Sequence, residues 1–219
     1  MTPSRAFRHA VRQDYMLFIE QCFGTLNPGI VFEDRWHLHA IAEKLRQVDV
    51  GDCRRLIVNV PPRSGKSIMT TIGYAAWRQG HDPRSRIICV SSDDSLVRSL
   101  SASYRAIVRS EWYAAAFPSF QIRRGGDRAS ETITTESGYR YHVSIGGSVL
   151  GRGADLIIAD DAMSPMAALS EAVRRRETNL WNTAFRTRLD DKSKGAIIIV
   201  CQRLHQDDLV GHVTEGGLE

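Results

Sequence analysis

Apolar and polar positions along the chain switch between two periods. Over residues 8–24 the side chains of Val11, Tyr15, Phe18, Ile19 and Cys22 recur at helical spacing, which predicts one amphipathic helix. Asn27-Pro28-Gly29 reads as a turn, and a second helical pattern follows near 35–48. From there short β-branched runs take over: Arg55–Val60, Arg86–Ser91, Arg140–Ser144, Leu156–Asp160 and Ala196–Cys201 each read as a strand. Helical patterns follow the first, second and fourth of these runs. Strands alternating with helices predict an α/β fold with a mostly parallel central sheet flanked by helices on both faces. Residues 121–147 differ in character. They are rich in Arg, Gly, Ser and Thr and alternate on either side of Ser137-Gly138, which predicts a β-hairpin lying as a surface ribbon beside the core.

Composition narrows the class. A chain of 219 residues that is 42% hydrophobic buries a full core without a disulfide or metal staple. The 29 Lys and Arg against 25 Asp and Glu make it mildly basic, which fits an acidic partner such as DNA without requiring one. Cys22, Cys53, Cys89 and Cys201 show no C-x-x-C spacing. Cys89 and Cys201 sit inside apolar runs, where cysteine serves as a small buried hydrophobe, so reduced thiols in a soluble, cytosolic protein are expected. No apolar run approaches a membrane span, and the first residues lack the apolar core of a secretory signal. His37 and His39 have no acidic or cysteine companions at ligand spacing, which favours a helix surface or a nucleotide edge over a metal.

The chemistry is concentrated after the first strand. Arg55–Val60 runs into Pro61-Pro62-Arg63-Ser64-Gly65-Lys66-Ser67, followed by a helical pattern to Trp77. A strand, a tight loop and a helix in that order cradle a triphosphate. Glycine lets backbone N–H groups approach phosphate oxygens, lysine meets the β- and γ-phosphates, and a hydroxyl binds magnesium. Gly65, Lys66 and Ser67 take those three roles in order, with Pro62, Arg63 and Ser64 completing the loop. The usual fingerprint places a glycine where this chain has Val60.

Such a site needs carboxylates at the end of a neighbouring strand, and Leu156–Asp160 ends in Asp160-Asp161. An acidic pair ending a strand can simply face solvent. With the Lys66 loop upstream, the stronger reading has Asp160 on magnesium and Asp161 orienting or deprotonating the attacking water. Gly146–Gly153 is a glycine-rich turn exposing Arg152, a candidate arginine finger acting in its own subunit or in a neighbour. Arg63, inside the loop, competes for that role. Gln202 stands at the C-terminal end of the last strand, where open α/β sheets bind ligands and where it can sense the γ-phosphate. Asp207 and Asp208 are candidates to cap the helix that follows.

Taken together, these segments resemble the N-terminal ATPase domain of bacteriophage terminase large subunits, the DNA-packaging motors. The likeness spans most of the chain. It is carried by Asn27-Pro28-Gly29, Trp36–Ile41, Val60–Ser67, Asp82-Pro83 with the following strand, Trp112-Tyr113 with Phe117-Pro118, Gly146–Asp161 and Gln202–Leu209. The resemblance implies a P-loop NTPase of ASCE type whose loop lacks the leading glycine and carries arginine, so that Val60 and Arg63 fit the pattern. It implies ATP and Mg2+ as cofactors, with Asp160 at the magnesium position, Asp161 at the catalytic acid position, Gln202 in the coupling motif and Arg152 as the trans-acting finger. Family members commonly carry glutamate where this chain has Asp161, whose shorter side chain holds its carboxylate farther back. Trp36 and His37 fall near the adenine-contacting region.

The implied partners are double-stranded DNA, the portal protein and the small terminase subunit. The implied assembly is a homo-oligomeric ring on the procapsid, with a monomer in isolation as the other state and the host cytoplasm as location. The expected organisation is a helical approach segment at 1–50, the ATPase core at 51–210 and, at 211–219, the start of a linker to a C-terminal nuclease that this chain does not contain, so no nuclease activity is expected. A helicase-like DNA translocase and a non-hydrolysing nucleotide-binding assembly subunit are the alternatives.

Overall fold

The computed structural model describes residues 4–215. In chain order the elements are α1 (Arg5–Gln13), α2 (Tyr15–Leu26), α3 (Trp36–Asp49), β1 (Arg55–Asn59), a π-helical turn (Ile68–Ile72) running into α4 (Gly73–His81), β2 (Arg86–Ser91), α5 (Asp94–Val108) and α6 (Glu111–Ala116). They continue with β3 (Ile122–Asp127), β4 (Glu131–Thr134), β5 (Tyr139–Ser144), β6 (Leu156–Asp160), α7 (Pro165–Leu169), α8 (Glu171–Leu180), a second π-turn (Trp181–Phe185), β7 (Ala196–Cys201) and α9 (Leu209–Thr214). Of the stretch expected to begin a linker, residues 216–219 lie outside the described residues, and the part before them belongs to α9.

The strands form one seven-stranded sheet in the order β1-β7-β6-β2-β5-β4-β3. β1, β7, β6, β2 and β5 are parallel, while β4 and β3 add antiparallel at one edge. Parallel strands buried on both faces read as unbroken apolar runs, which is why β2, β6 and β7 are so plainly marked. One face carries Leu56, Val58, Ile87, Cys89, Ile158 and Val200 beneath α1 to α6. The other carries Ile88, Val90, Ile157 and Ile199 against Trp181, Phe185 and the apolar side of α9. The expected two-sided α/β architecture is therefore present, and the N-terminal helices pack directly onto the sheet.

Three expectations need correction. The single helix over 8–24 is two helices. The Asp14 backbone N–H closes α1 on the Ala10 carbonyl, while its carboxylate accepts from the Met16 and Leu17 N–H groups at 2.8 and 3.1 Å and starts α2. The 121–147 ribbon is only partly peripheral. β5 pairs with β2 from Arg86–Tyr139 through Ser91–Ser144, and its Arg140 and His142 are buried. Gly138 makes the hairpin fit, since a Cβ there would lie 2.1 Å from the Pro83 carbonyl oxygen. Finally, Cys201 is half-buried rather than buried, although Cys89 is buried as expected. No helix among the described residues is long and apolar enough to cross a membrane.

Candidate nucleotide site

Register places three strand ends side by side. Asn59 of β1 pairs with Cys201 of β7, and Asp160 of β6 pairs with Val200 of β7. The loop after β1, Gln202 after β7 and Asp160-Asp161 after β6 therefore emerge together at the C-terminal edge of the sheet, where open α/β folds bind ligands.

The loop is held in a strained shape. Arg63 has φ 58°, in the left-handed region that non-glycine residues seldom adopt, and Gly65 follows at φ 80°. His37 braces the loop from α3: its Nε2 lies 2.9 Å from the Ser64 carbonyl oxygen and must therefore carry the donated proton. Lys66 is buried, and its Nζ meets the Asp161 carboxylate at 2.8 Å. The Thr70 hydroxyl donates to the Lys66 carbonyl at 2.8 Å.

The helix that follows opens with the π-turn, closed by the Gly73 N–H on the Ile68 carbonyl. Only glycine fits at its end, since a Cβ on Gly73 would lie 2.4 Å from Ile19 Cδ1 and 2.5 Å from the Ile68 carbonyl oxygen. Tyr15 of α2 donates its hydroxyl proton to the Met69 carbonyl within the turn. Single π-turns inside helices recur at functional sites.

Asp160 is fully buried, and neither of its oxygens completes a hydrogen bond among the described residues. Burial pushes its carboxyl up to about 6, against the Thr71 and Ser67 hydroxyls, which lie near enough to favour the charged form. An orphaned carboxylate beside a serine hydroxyl is a donor set that a divalent cation satisfies. No group of three or more His, Cys, Asp or Glu among the described residues could hold a metal. Asp160 and the Ser67 hydroxyl fit one side of a magnesium ion completed by phosphate oxygens and water.

Asp161 has φ 44° and is pinned on both sides. Its N–H donates to the Val200 carbonyl at 2.9 Å, and its carbonyl accepts from the Ser92 N–H at 3.0 Å. Gln202 leaves β7 between the two other strand ends. Asp208 caps α9 as expected, accepting from Gly211 and Leu204 N–H groups and from Arg203 Nε. Burial works to raise its carboxyl, but these donors outweigh it and the net direction is down.

Beside the loop opens a cavity of about 230 Å³ lined by Phe23, Phe32, Leu38, Ile68, Met69 and Arg63 among others. Its size and apolar walls suit a flat heterocycle next to the phosphates. Sequence reasoning placed Trp36 and His37 at this position. The structure turns Trp36 to solvent at 81% exposure, and the cavity is lined instead by Phe23 of α2, the segment before α3, Leu38 of α3, the loop and the π-turn. The apolar run Ile30-Val31-Phe32, of which Ile30 and Val31 are exposed and Phe32 is half-buried, was the available signal.

The structure gathers Arg63, Ser64, Gly65, Lys66, Ser67, Asp160, Asp161 and Gln202 at one edge, but not Arg152. That guanidinium pairs with the buried Glu131 of β4 and stacks over the Tyr141 ring at 4.0 Å from its centroid. β5 and β1 are four strand spacings apart, about 19 Å at ~4.8 Å per spacing, so Arg152 does not serve the loop of its own chain from this position.

No family model matches the sequence, and no curated protein does. Solved structures do match. The large terminase of bacteriophage HK97 superposes with a TM-score of 0.62 at 12% identity, over 94% of this chain and 41% of that one. A variant of the large terminase ATPase domain of Thermus phage P74-26 superposes with a TM-score of 0.54 at 15% identity, over 83% of this chain and 68% of that one. The chain thus spans less than half of the HK97 protein. It shares the fold of these two structures, a mostly parallel seven-stranded sheet flanked by helices.

Proposed function

We propose that the chain is the ATPase motor domain of a phage terminase large subunit, hydrolysing ATP to translocate double-stranded DNA into a procapsid. The observation that carries this reading is the convergence of Lys66, Asp161 and the orphaned Asp160 at one sheet edge, on a fold matching two terminase structures. ATP binds with its phosphates on Pro62–Ser67 and its base in the cavity of Phe23, Phe32 and Leu38. Asp160 and the Ser67 hydroxyl hold magnesium, which when bound neutralises charge on the phosphate oxygens. Lys66 exchanges Asp161 for the β- and γ-phosphates, which frees the Asp161 carboxylate to orient and deprotonate water. Gln202, between the loop and the acidic pair, is placed to report the γ-phosphate to the rest of the chain.

Two arginines can supply the transition-state cation. Arg63 acts within the subunit, and Arg152 acts from a neighbour in a homo-oligomeric ring. Portal protein, small terminase subunit and the DNA are the partners that the reading requires, in the host cytoplasm. Nuclease activity is not expected of this chain. The test is magnesium-dependent phosphate release by the wild-type chain, lost in Lys66→Ala and in Asp160→Ala. Full activity in either variant sinks the site assignment. Tight ATP binding with no phosphate release, even with DNA at high protein concentration, would instead mark a nucleotide-binding assembly subunit. Stimulation by DNA that is indifferent to the packaging partners would mark a helicase-like translocase.

A further inference from the structure

A buried cation that the nucleotide chemistry does not use lies beneath the π-turn. Residues paired across parallel strands share a face, so Asp160, Ser91, His142 and Arg140 line one face of β6, β2 and β5. Arg140 is 2% exposed and has no carboxylate partner among the described residues. Its guanidinium lies over the Tyr104 ring at 4.5 Å. It donates to the Ser101 hydroxyl at 3.4 Å, to His142 Nδ1 at 3.2 Å and to the Thr71 carbonyl at 3.3 Å. Because His142 Nδ1 accepts from arginine, its proton sits on Nε2, which donates to the Ser91 hydroxyl at 2.9 Å. Burial and the neighbouring guanidinium both keep this imidazole neutral, so the cluster retains one uncompensated positive charge.

A guanidinium without a counterion is a costly way to fill a core, and an apolar side chain of similar volume would pack there at less cost. What Arg140 does that an apolar residue cannot is grip the Thr71 carbonyl. Thr71 sits in the π-turn, with its hydroxyl buried, without a completed hydrogen bond among the described residues, and facing the Asp160 carboxylate. Lys66 and Ser67 stand one turn earlier on the same helix.

We propose that Arg140 is a positioning residue for the magnesium–nucleotide complex: by holding the Thr71 carbonyl it fixes the π-turn, and with it the Thr71 hydroxyl and Ser67, against Asp160. The inference rests on the nucleotide-site reading above and adds a residue four strand spacings away from the loop strand. Its effect falls on the magnesium-dependent part of nucleotide affinity, because the face it steadies is the one toward Asp160 rather than toward the base cavity.

The experiment is calorimetric titration of the 219-residue chain with ATP, in magnesium and in EDTA, for wild type, Arg140→Met, Arg140→Lys, Thr71→Val and Lys66→Ala. The expected result is a loss of ten-fold or more in the ratio of the two affinities for Arg140→Met, partial recovery of that ratio in Arg140→Lys, and a loss in Thr71→Val with EDTA affinity unchanged. A general packing defect would lower both affinities alike. An Arg140→Met chain that melts cooperatively and keeps the wild-type ratio overturns the inference. Should that variant not fold, wild-type ratios in both Arg140→Lys and Thr71→Val overturn it equally. Unchanged magnesium–ATP affinity in Lys66→Ala would instead bring down the nucleotide site itself, so the two failures are distinguishable.

Discussion

Replacing Asp160 with asparagine should stabilise the nucleotide-free protein while abolishing hydrolysis. Asp160 has no exposed surface, and its carboxyl is raised from 3.8 to about 6. At 1.36 kcal/mol per pKa unit this difference amounts to about 3 kcal/mol. The sign follows from proton uptake. Between these two values the folded protein holds a proton that the unfolded chain has released, so stability falls as pH rises through this window and the full cost is present above it. Asparagine has nearly the same shape and never ionises. The variant's advantage should therefore grow by about 2 kcal/mol between pH 4 and pH 7.5, an increment readable by urea unfolding at each pH. Magnesium–ATP at a thousand times its dissociation constant should reverse the order, because it adds about 4.1 kcal/mol to the wild type alone. A variant less stable than wild type at pH 7.5, or a difference independent of pH, would refute the argument that this carboxylate is buried without compensation.

Further expectations follow from single contacts. Gly73→Ala should destabilise by about 1–3 kcal/mol in urea melts although alanine is the better helix former, because its methyl group would meet Ile19 and the Ile68 carbonyl; a neutral outcome would mean the π-turn relaxes freely. Phe32→Ala should weaken ATP binding about ten-fold while Trp36→Ala leaves it unchanged, measured by titration, since only Phe32 lines the cavity; the opposite ranking returns the base to Trp36. Mixing inactive Arg152→Ala chains with inactive Lys66→Ala chains should restore part of the ATPase rate if Arg152 acts across a subunit boundary, and no recovery at any ratio removes the trans role.

The limits of legibility have physical causes. β2, β6 and β7 are buried on both faces, so their letters are apolar at all but end positions and leave little to interpret. The candidate phosphate loop was equally plain, because few residue types other than those of Gly65, Lys66 and Ser67 suit that work at that spacing. The break at Asp14 was hidden because Val11 and Phe18 are both buried in one core, so the apolar spacing runs through the cap as if the helix were continuous. The cavity proposed for the base was hidden for the opposite reason. Its walls come from α2, from the segment before α3 and from the helix after the loop, and no single window of sequence contains them.

The hardest case is β5. Arg140 and His142 are polar letters in a strand whose neighbours suggested a surface ribbon, and the usual inference from polarity to exposure put them outside. That inference fails when polar groups bond to one another, as the imidazole, two serine hydroxyls and the two terminal nitrogens of the guanidinium do here, with Arg140 Nε alone of that group making no hydrogen bond among the described residues. Such a cluster costs stability relative to an apolar core, and so it persists where it holds something an apolar core cannot hold. In this chain that something is a carbonyl of the turn that follows Lys66 and Ser67, the lysine and serine of the proposed phosphate loop. The polar strand is thus continuous with the site at the level of forces although it is remote in sequence. This is why the loop, Asp160 and Asp161 stood out as candidates by residue type, whereas Arg140 becomes visible only once the sheet order sets β5 beside β2.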